Sequence, residues 1–287
     1  MAGVTLRDLP DRLADALGGR PSRLTPLSGA STGAVYRADL TNGESVVVKS
    51  GQAHLAVEAR MLTDLKALSD LPVPTVRYVD DRCLVIDHIR HDGTGAPGAA
   101  QAHAGGLLAA LHTVPRPHFG FDYDTVIGVL PQPNPLADRW VPFFRDHRVL
   151  AMANAGLADG TVSRQLHRRL EALAGRLDRY LEEPPHPALL HGDLWTGNVL
   201  YEGDHIVGII DPALTIGHPE IELAFATLFG TVGDRFFRAY AERAPFDWDF
   251  FDLRRDLYTI YPLLVHVRSW STGYARGIEA VLDRLGL

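Results

Sequence analysis

Short apolar stretches in the first third of the chain, alternating or continuous, predict β-strands. The first two are joined by Thr41-Asn42-Gly43, and an Asn-Gly pair between such stretches is typical of a β-hairpin. Residues 54–68 have helical spacing. The strands are predicted at 34–40, 45–49, 76–79 and 83–89. The first third of the chain is therefore expected to be rich in β-structure.

The pattern changes after a stretch rich in Gly and Ala at 93–106, where apolar residues begin to recur three and four positions apart, as in a helix. Residues 189–211 interrupt this part with a loop and then a hairpin. The leucines with helical spacing are Leu107, Leu108, Leu111, Leu166, Leu170, Leu173 and Leu177, and the hairpin strands are predicted at 199–201 and 206–210. We expect an α+β fold with two lobes, a small β-rich one at 1–90 and a larger, mainly helical one at 91–287.

Composition excludes several classes of protein. A chain of 287 residues with 46% hydrophobic content can bury a large core, which excludes a disordered chain. The single cysteine, Cys83, cannot form an internal disulfide, and charges interrupt the first residues where a signal peptide would be apolar. No stretch approaches the roughly 20 apolar residues of a membrane span. We expect a cytoplasmic protein that does not bind a membrane.

The charge distribution bears on possible partners. The net charge is −7 at pH 7, and no run of Lys and Arg could neutralise a phosphate backbone. Nucleic acid is therefore not an expected partner.

The residues 191–198, HGDLWTGN, carry the clearest chemical signal, because they have the spacing H-x-D-x-x-x-x-N. Asp211 follows Asp193 by 18 residues, at the end of the predicted hairpin. This pattern matches the catalytic loop and metal-binding segment of phosphotransferases with the kinase fold. Asp193 is the predicted catalytic base for an acceptor hydroxyl, and Asn198 and Asp211 are the predicted Mg²⁺ ligands. We expect His191 to brace the loop.

The β-rich lobe contains candidates for ATP binding. Lys49 ends an apolar strand, where its ammonium could neutralise phosphates, and Glu58 on the next helix is its predicted partner. An isolated Lys and Glu would more often form a solvated surface pair, and the downstream motif reverses that preference. Upstream of Lys49 is a loop of small residues whose backbone amides could approach phosphates, with candidate contacts at Gly29, Ser31, Thr32 and Gly33.

Two further predictions concern the parts of the site that would bind adenine and the acceptor. Asp87 and Ile89 follow an apolar strand, at the point where a kinase-like chain crosses between lobes and offers backbone groups to adenine. Trp195 lies inside the catalytic loop, where it could form a wall of the acceptor pocket or pack in the core.

Several blocks of sequence together resemble one family. LLHGDLWTGNVL and IIDPALTIGHPEIELAFATLFG resemble the fructosamine kinases, also called ketosamine kinases. Further blocks resemble that family in the same order, so the resemblance covers nearly the whole chain. These blocks are FGFDYDTVIGVLPQPN at 119–134, WVPFFRDHRV at 140–149 and YPLLVHVRSWSTGYA at 261–275.

The resemblance implies ATP-dependent phosphorylation of the sugar part of a glycated amine at its third carbon, after which the unstable product releases the amine. Asp193 resembles the family's base, Asn198 and Asp211 its metal ligands, and Lys49 with Glu58 its phosphate-binding pair. The implied substrate is a small or protein-linked ketosamine.

The loop at 29–33 departs from several relatives, which have a cysteine there that can link two subunits. Redox switching through this loop is therefore not expected, and we expect a monomer.

Three alternatives remain at this stage. The first is a kinase of the same fold that acts on an aminoglycoside, choline or homoserine. The second is a serine hydrolase, because Gly29-Ala30-Ser31-Thr32-Gly33 fits G-x-S-x-G, although that motif requires a following helix and a strand is predicted instead. The third is a binding module that has lost catalysis, although Lys49, Asp193 and Asp211 are all present.

Overall fold

The structure is a computed structural model that describes residues 14, 17–27 and 34–287. The candidate phosphate contacts Gly29, Ser31, Thr32 and Gly33 lie outside the described residues, so their predicted role stays a prediction. Strand β2 begins at Ala34, immediately after this loop. A strand therefore follows Ser31, where the hydrolase hypothesis requires a helix.

An antiparallel five-stranded sheet forms the N-terminal part, with strand order β1-β2-β3-β5-β4. Helix α1 packs against it and buries Leu55, Met61 and Leu65. The predicted hairpin and helix are confirmed. The elements are β1 (Pro21–Pro26), β2 (Ala34–Leu40), β3 (Ser45–Ser50), α1 (Leu55–Leu68), β4 (Val76–Val79) and β5 (Cys83–Asp87).

Strand β5 is shorter than the predicted 83–89. In the register of β3 and β5, Val46 lies opposite Asp87. Since β3 begins at Ser45, Ile89 has no residue of β3 to pair with. The chain leaves the sheet here and crosses toward the helical part.

The remainder of the chain is mainly helical, as predicted. Its helices are α2 (Ala100–His112), α3 (Trp140–Phe144), which continues through a π-helical stretch (Arg145–Leu150) into α4 (Ala151–Asp159), α5 (Arg164–Ala174), α6 (Pro219–Leu228), α7 (Asp234–Ala241), α8 (Arg254–Ser269) and α9 (Ala275–Arg284). Short 3₁₀ turns lie at Leu177–Arg179, Thr196–Asn198, Trp248–Phe251 and Thr272–Tyr274. Of the leucines predicted to be helical, Leu177 falls in a 3₁₀ turn, because α5 ends at Ala174.

Short strands are inserted among these helices. The predicted hairpin is confirmed as β10 (Val199–Glu202) and β11 (His205–Ile209). The strands β6 (Gly93–Thr94), β7 (Thr125–Ile127), β8 (Leu130–Gln132), β9 (Ala188–Leu190) and β12 (Thr215–Gly217) were not predicted. At two or three residues each, they are too short to show an alternating pattern.

One close backbone contact and one helix cap position helices around the candidate active site. A Cβ at Gly105 of α2 would lie 2.4 Å from the carbonyl oxygen of Phe236, so only glycine allows α7 to approach this closely. The GHPE stretch begins α6: His218 Nδ1 accepts from the N–H of Glu220 at 3.0 Å, and Pro219 occupies the first turn, where its missing N–H costs nothing.

Within the described residues, none of the helices combines the length and the apolar character needed to cross a membrane. The predicted division at residue 90, the cytoplasmic location and the monomeric state stay predictions.

Candidate active site

The β10–β11 hairpin brings Asn198 and Asp211 to the same place. Val199 pairs with Ile209, and the N–H of Ile210 donates to the carbonyl oxygen of Asn198 at 2.9 Å. Asn198 lies just before β10 and Asp211 just after β11, so the two residues are neighbours at the open end of the hairpin. The hairpin inserted in a helical region thus joins the end of the catalytic loop to a second carboxylate.

Asn198 also holds Asp193. Its Nδ2 donates to the carbonyl oxygen of Asp193 at 2.8 Å and to Oδ2 of the same residue at 2.9 Å. The amide nitrogen of Asn198 therefore donates both of its hydrogens to Asp193. The amide oxygen of Asn198 consequently faces away from Asp193. Within the described residues no hydrogen bond engages that oxygen.

The environment of Asp193 disfavours its charged form. Burial raises the pKa of Asp193 to about 8, although the hydrogen bond from Asn198 opposes the rise. The negative charges of Asp211 and Glu222 raise it further. A carboxylate held near the physiological range can both accept and hold a proton, as a general base requires.

Lys49 lies between two carboxylates. It is 6% exposed, and its Nζ donates to Oε1 of Glu58 at 2.5 Å and to Oδ1 of Asp211. Burial lowers the pKa of Lys49, but the two negative charges outweigh burial and the net shift is upward. Burial raises the pKa of Glu58, with Lys49 opposing. The ammonium therefore stays charged, and the predicted contact between Lys49 and Glu58 is present.

Asp211 has an unusual backbone. Its φ is 55°, in the left-handed region that non-glycine residues rarely occupy. Such a conformation persists only where the surroundings determine it, and it is common at functional sites. The Asp211 side chain is 44% exposed, so its carboxylate can reach a ligand while it contacts Lys49.

The oxygens of Asn198 and Asp211 suit a magnesium ion that is also bound by phosphates. Mg²⁺ in nucleotide sites takes one or two carboxylates and completes its shell with phosphate oxygens and water. The described residues contain no cluster of three or more His, Cys, Asp or Glu that could hold a metal alone. The donor set therefore fits a metal that arrives with a nucleotide.

A buried chain of polar groups supports the catalytic loop from behind. Oε1 of Glu222 on α6 accepts from the N–H of Gly192 at 2.6 Å, and Oε2 lies 2.9 Å from Nε2 of His112 on α2. Nδ1 of His112 lies 3.0 Å from the hydroxyl of Tyr240 on α7. His191 Nδ1 accepts from the N–H of Asp193 at 3.3 Å, as its predicted bracing role requires. Helices α2, α6 and α7 thus fix the loop.

Replacing Glu222 with alanine should destabilise the protein strongly. Glu222 is 2% exposed, and removing one partner of a buried pair typically costs about 3–5 kcal/mol of the free energy of unfolding. Urea denaturation measures this loss. Glu171→Ala is the control, because the side chain of Glu171 is 56% exposed and its loss should change stability by less than about 0.5 kcal/mol. Equal stability of the two variants would contradict the supporting role of Glu222.

The crossing segment meets the hairpin through Ile89. A Cβ at Gly208 of β11 would lie 2.7 Å from Cδ1 of Ile89, so a larger residue there would displace the end of the Ile89 side chain. The N–H of Asp87 donates to the carbonyl oxygen of Thr75 at 3.0 Å, and Asp87 Oδ2 accepts from the N–H of Thr75 at 3.2 Å. The N–H of Asp87 is therefore engaged within the protein, and adenine recognition by Asp87 and Ile89 stays a prediction.

Trp195, within the catalytic loop, is half-buried. Its ring lies over Gly197, where an added Cβ would be 2.5 Å from Cη2 of Trp195. The ring also contacts Phe229, at 6.1 Å between centroids. Phe229 contacts His266 at 5.0 Å and Tyr274 at 6.4 Å. These four half-buried rings form a continuous aromatic surface that begins at the catalytic loop.

Sequence analysis did not identify Glu222, His112 or three of the four rings. Glu222 could have been noticed, because a charge inside the apolar run IELAFATL is unusual for a helix that faces a core. Phe229, His266 and Tyr274 gave no comparable signal, since single aromatic residues most often pack in the core.

Comparison with solved structures defines the class of fold. The complex of aminoglycoside phosphotransferase APH(2")-IIa with streptomycin and ATP superposes with a TM-score of 0.62 at 14% identity, covering 99% of this chain and 97% of that chain. At this identity the likeness concerns the fold alone. The predicted two-lobed, protein-kinase-like α+β fold is confirmed.

The chain belongs to the fructosamine kinase family, whose model matches residues 20–286. A crystal structure of a candidate fructosamine-3-kinase from Thermobifida fusca has a TM-score of 0.86 and 30% identity, covering 97% of this chain and 98% of that chain. The chloroplastic protein-ribulosamine 3-kinase of Arabidopsis thaliana is 31% identical over 194 residues. That alignment covers 66% of this chain but 58% of the relative's length. The predicted family resemblance is confirmed.

Proposed function

We propose that the protein is an ATP-dependent kinase that phosphorylates the sugar part of a ketosamine. The observation that carries this proposal is the convergence of Lys49, Asp193, Asn198 and Asp211, from distant parts of the chain, in a member of the fructosamine kinase family. The relatives' names, ribulosamine 3-kinase and fructosamine-3-kinase, support the substrate class.

The chemistry follows from the positions of these groups. The carboxylate of Asp193 orients the acceptor hydroxyl and takes its proton as the new O–P bond forms and the bond between the γ-phosphorus and the oxygen of ADP breaks. Lys49 offers positive charge to the phosphates, while Glu58 holds the ammonium in place. Asn198 and Asp211 would hold Mg²⁺, and the ion would supply positive charge that stabilises phosphoryl transfer.

The aromatic surface of Trp195, Phe229, His266 and Tyr274 suits the acceptor. Sugar C–H groups and a protonated amine both pack favourably on aromatic rings, and a ketosamine has both. Burial lowers the pKa of His266, so this ring stays neutral and does not repel a cation. The amine is either free or part of a protein.

Replacing Trp195 with leucine should lower kcat/KM for a ketosamine by about tenfold, because a cation on an aromatic face is worth roughly 0.5–2 kcal/mol. The KM for ATP should not change. Steady-state kinetics with each substrate varied in turn measure both constants. Trp248→Leu is the matched control, since Trp248 is 51% exposed and packs on Phe246 and Phe251, away from the catalytic loop. An equal loss in both variants would show that the aromatic surface does not bind the acceptor.

ADP release from Mg-ATP tests the proposed function directly. The acceptors are ribuloselysine and fructoselysine, run beside choline, homoserine and an aminoglycoside. Turnover on a ketosamine with release of free lysine supports the proposal. Turnover restricted to another acceptor keeps the phosphotransfer chemistry and discards the ketosamine, whereas nucleotide binding without turnover on any acceptor would favour a binding module.

A further inference from the structure

A cluster of polar side chains lies buried beneath residues 213–215, just after Asp211. Each is at most 4% exposed, and they come from four separate blocks that resemble the family. The cluster, called here the Gln132 cluster, contains Thr125, Gln132, Asn134, Arg148, Thr215 and Tyr261. So many polar groups in the core require a mutual arrangement in which their hydrogen bonds are satisfied.

Gln132 is the centre of this arrangement. Its Nε2 donates to the carbonyl oxygen of Ala213 and to Oγ1 of Thr125, both at 2.9 Å. Its Oε1 accepts from the hydroxyl of Tyr261 at 2.7 Å. A primary amide supplies two donors and an acceptor on one side chain, and all are used here. Glutamate at this position would have no donor for Ala213.

Ala213 connects the two halves of the catalytic site. Its N–H donates to the carbonyl oxygen of His191 at 2.8 Å, and a Cβ at Gly192 would lie 2.1 Å from its carbonyl oxygen. Ala213 is also two residues from Asp211, whose left-handed backbone must be held by its surroundings. The bond from Gln132 to the carbonyl oxygen of Ala213 therefore acts on both the catalytic loop and Asp211.

Arg148 holds the other side of the cluster. It is 1% exposed, and its guanidinium donates to the carbonyl oxygen of Pro133 at 2.6 Å, to Oδ1 of Asn134 at 2.6 Å and to Oγ1 of Thr215 at 2.9 Å. None of its hydrogen-bond acceptors among the described residues is a carboxylate. A buried cation bonded only to neutral acceptors adds little stability, but its fixed fork of donors defines the geometry of those acceptors.

We propose that Gln132 is a positioning residue, which acts through Ala213 to place the carboxylate of Asp211 for the metal that accompanies the nucleotide. Tyr261 and Arg148 hold Gln132 and its neighbours in the required arrangement. The proposal rests on the proposed function, because Asp211 is a metal ligand only if the protein binds Mg-ATP.

The test compares two tyrosines of α8. Tyr261 and Tyr258 are 4% and 0% exposed, and within the part of the chain that the structure describes each hydroxyl makes one hydrogen bond. Tyr261 donates to Gln132, whereas Tyr258 accepts from Nε1 of Trp140 at 3.0 Å. Phenylalanine at either position removes one buried hydrogen bond, so both variants should lower Tm by about 2–6 °C. Neither residue belongs to the proposed catalytic machinery.

Of the two tyrosine variants, only Tyr261→Phe should change the dependence of activity on Mg²⁺. We expect the Mg²⁺ concentration for half-maximal activity to rise in Tyr261→Phe, and to rise by about tenfold in Gln132→Leu, because groups that orient metal ligands typically affect metal affinity by about 10- to 100-fold. Calorimetric titration of ADP should show weaker binding in the presence of Mg²⁺ and unchanged binding without it. The electron paramagnetic resonance of Mn²⁺ with ADP gives a second measure of metal affinity. The KM for the acceptor should not change.

Equal shifts in Tyr261→Phe and Tyr258→Phe, or a shift in neither, would overturn the positioning role. Asp211→Asn and ADP release together separate this failure from failure of the proposed function. If Asp211→Asn leaves the affinity for Mg²⁺ and ADP together unchanged, Asp211 is not a metal ligand and the positioning role is overturned, whereas ADP release with a ketosamine tests the proposed function by itself.

Discussion

Asp193→Asn should lower kcat by about 100- to 10,000-fold, the usual contribution of a positioned general base. Asparagine has nearly the shape of aspartate, and its side-chain oxygen can still accept the 2.9 Å hydrogen bond from Asn198. It cannot, however, take the proton of the acceptor hydroxyl. Steady-state ADP release with a ketosamine measures the loss, while calorimetry should show unchanged binding of Mg-ADP.

Two observations accompany this result. Because burial raises the pKa of Asp193 to about 8, kcat/KM of the unmodified protein should fall as the pH decreases below that value. The residual activity of the variant should lack this dependence. Asp204→Asn is the matched control and should retain full activity, since Asp204 is exposed in the turn of the β10–β11 hairpin. A nearly active Asp193→Asn variant would show that another group takes the proton.

Lys49→Met should lower kcat/KM for ATP by about 100- to 1,000-fold, the range observed when one preorganised donor of charge is removed from an active site. The change also leaves Glu58 and Asp211 without the cation that lies between them. Burial raises the pKa of Glu58 against the influence of Lys49, so Glu58 should become neutral in the variant. Kinetics with ATP as the varied substrate measure the loss.

Lys66→Met is the control for this variant, because Lys66 is exposed on α1 and its Nζ donates a hydrogen bond to Oγ1 of Thr75 at 2.8 Å. It should have the kinetics of the unmodified protein. Lys49→Arg should not restore activity, since a planar guanidinium cannot occupy the place of a compact ammonium between two carboxylates. If Lys49→Met bound ATP with the affinity of the unmodified protein, Lys49 would not be a contact of the phosphates.

The parts of the site that sequence analysis predicted are those set by local structure. Lys49 and Glu58 are nine residues apart on adjacent elements, and Asn198 reaches Asp193 within one loop. Asp211 was predicted to lie beside Asn198 because a hairpin returns the chain to its starting point. The contact between Lys49 and Asp211 spans 162 residues and was not predicted.

The support behind the site could not be predicted in the same way. Gln132 reaches Ala213 across 81 residues, and His112 reaches Glu222 across 110. These contacts depend on how separate helices and short strands pack, which hydrophobic periodicity does not specify. The family-like blocks PQPN and WVPFFRDHRV were recognised as a pattern, but their convergence on one buried cluster appeared only in three dimensions.

The burial of Lys49 has a consequence for chemical labelling. The chain has two lysines, Lys49 and Lys66, and of these only Lys66 is exposed. General amine-reactive reagents, including reducing sugars, should therefore modify Lys66 and leave Lys49 intact, because the ammonium of Lys49 is shielded and ion-paired. A reagent that carries a nucleotide into the cleft should show the reverse preference. With a nucleotide-bearing reagent of this kind, the labelling of Lys49 relative to Lys66 would report on occupancy of the proposed nucleotide site.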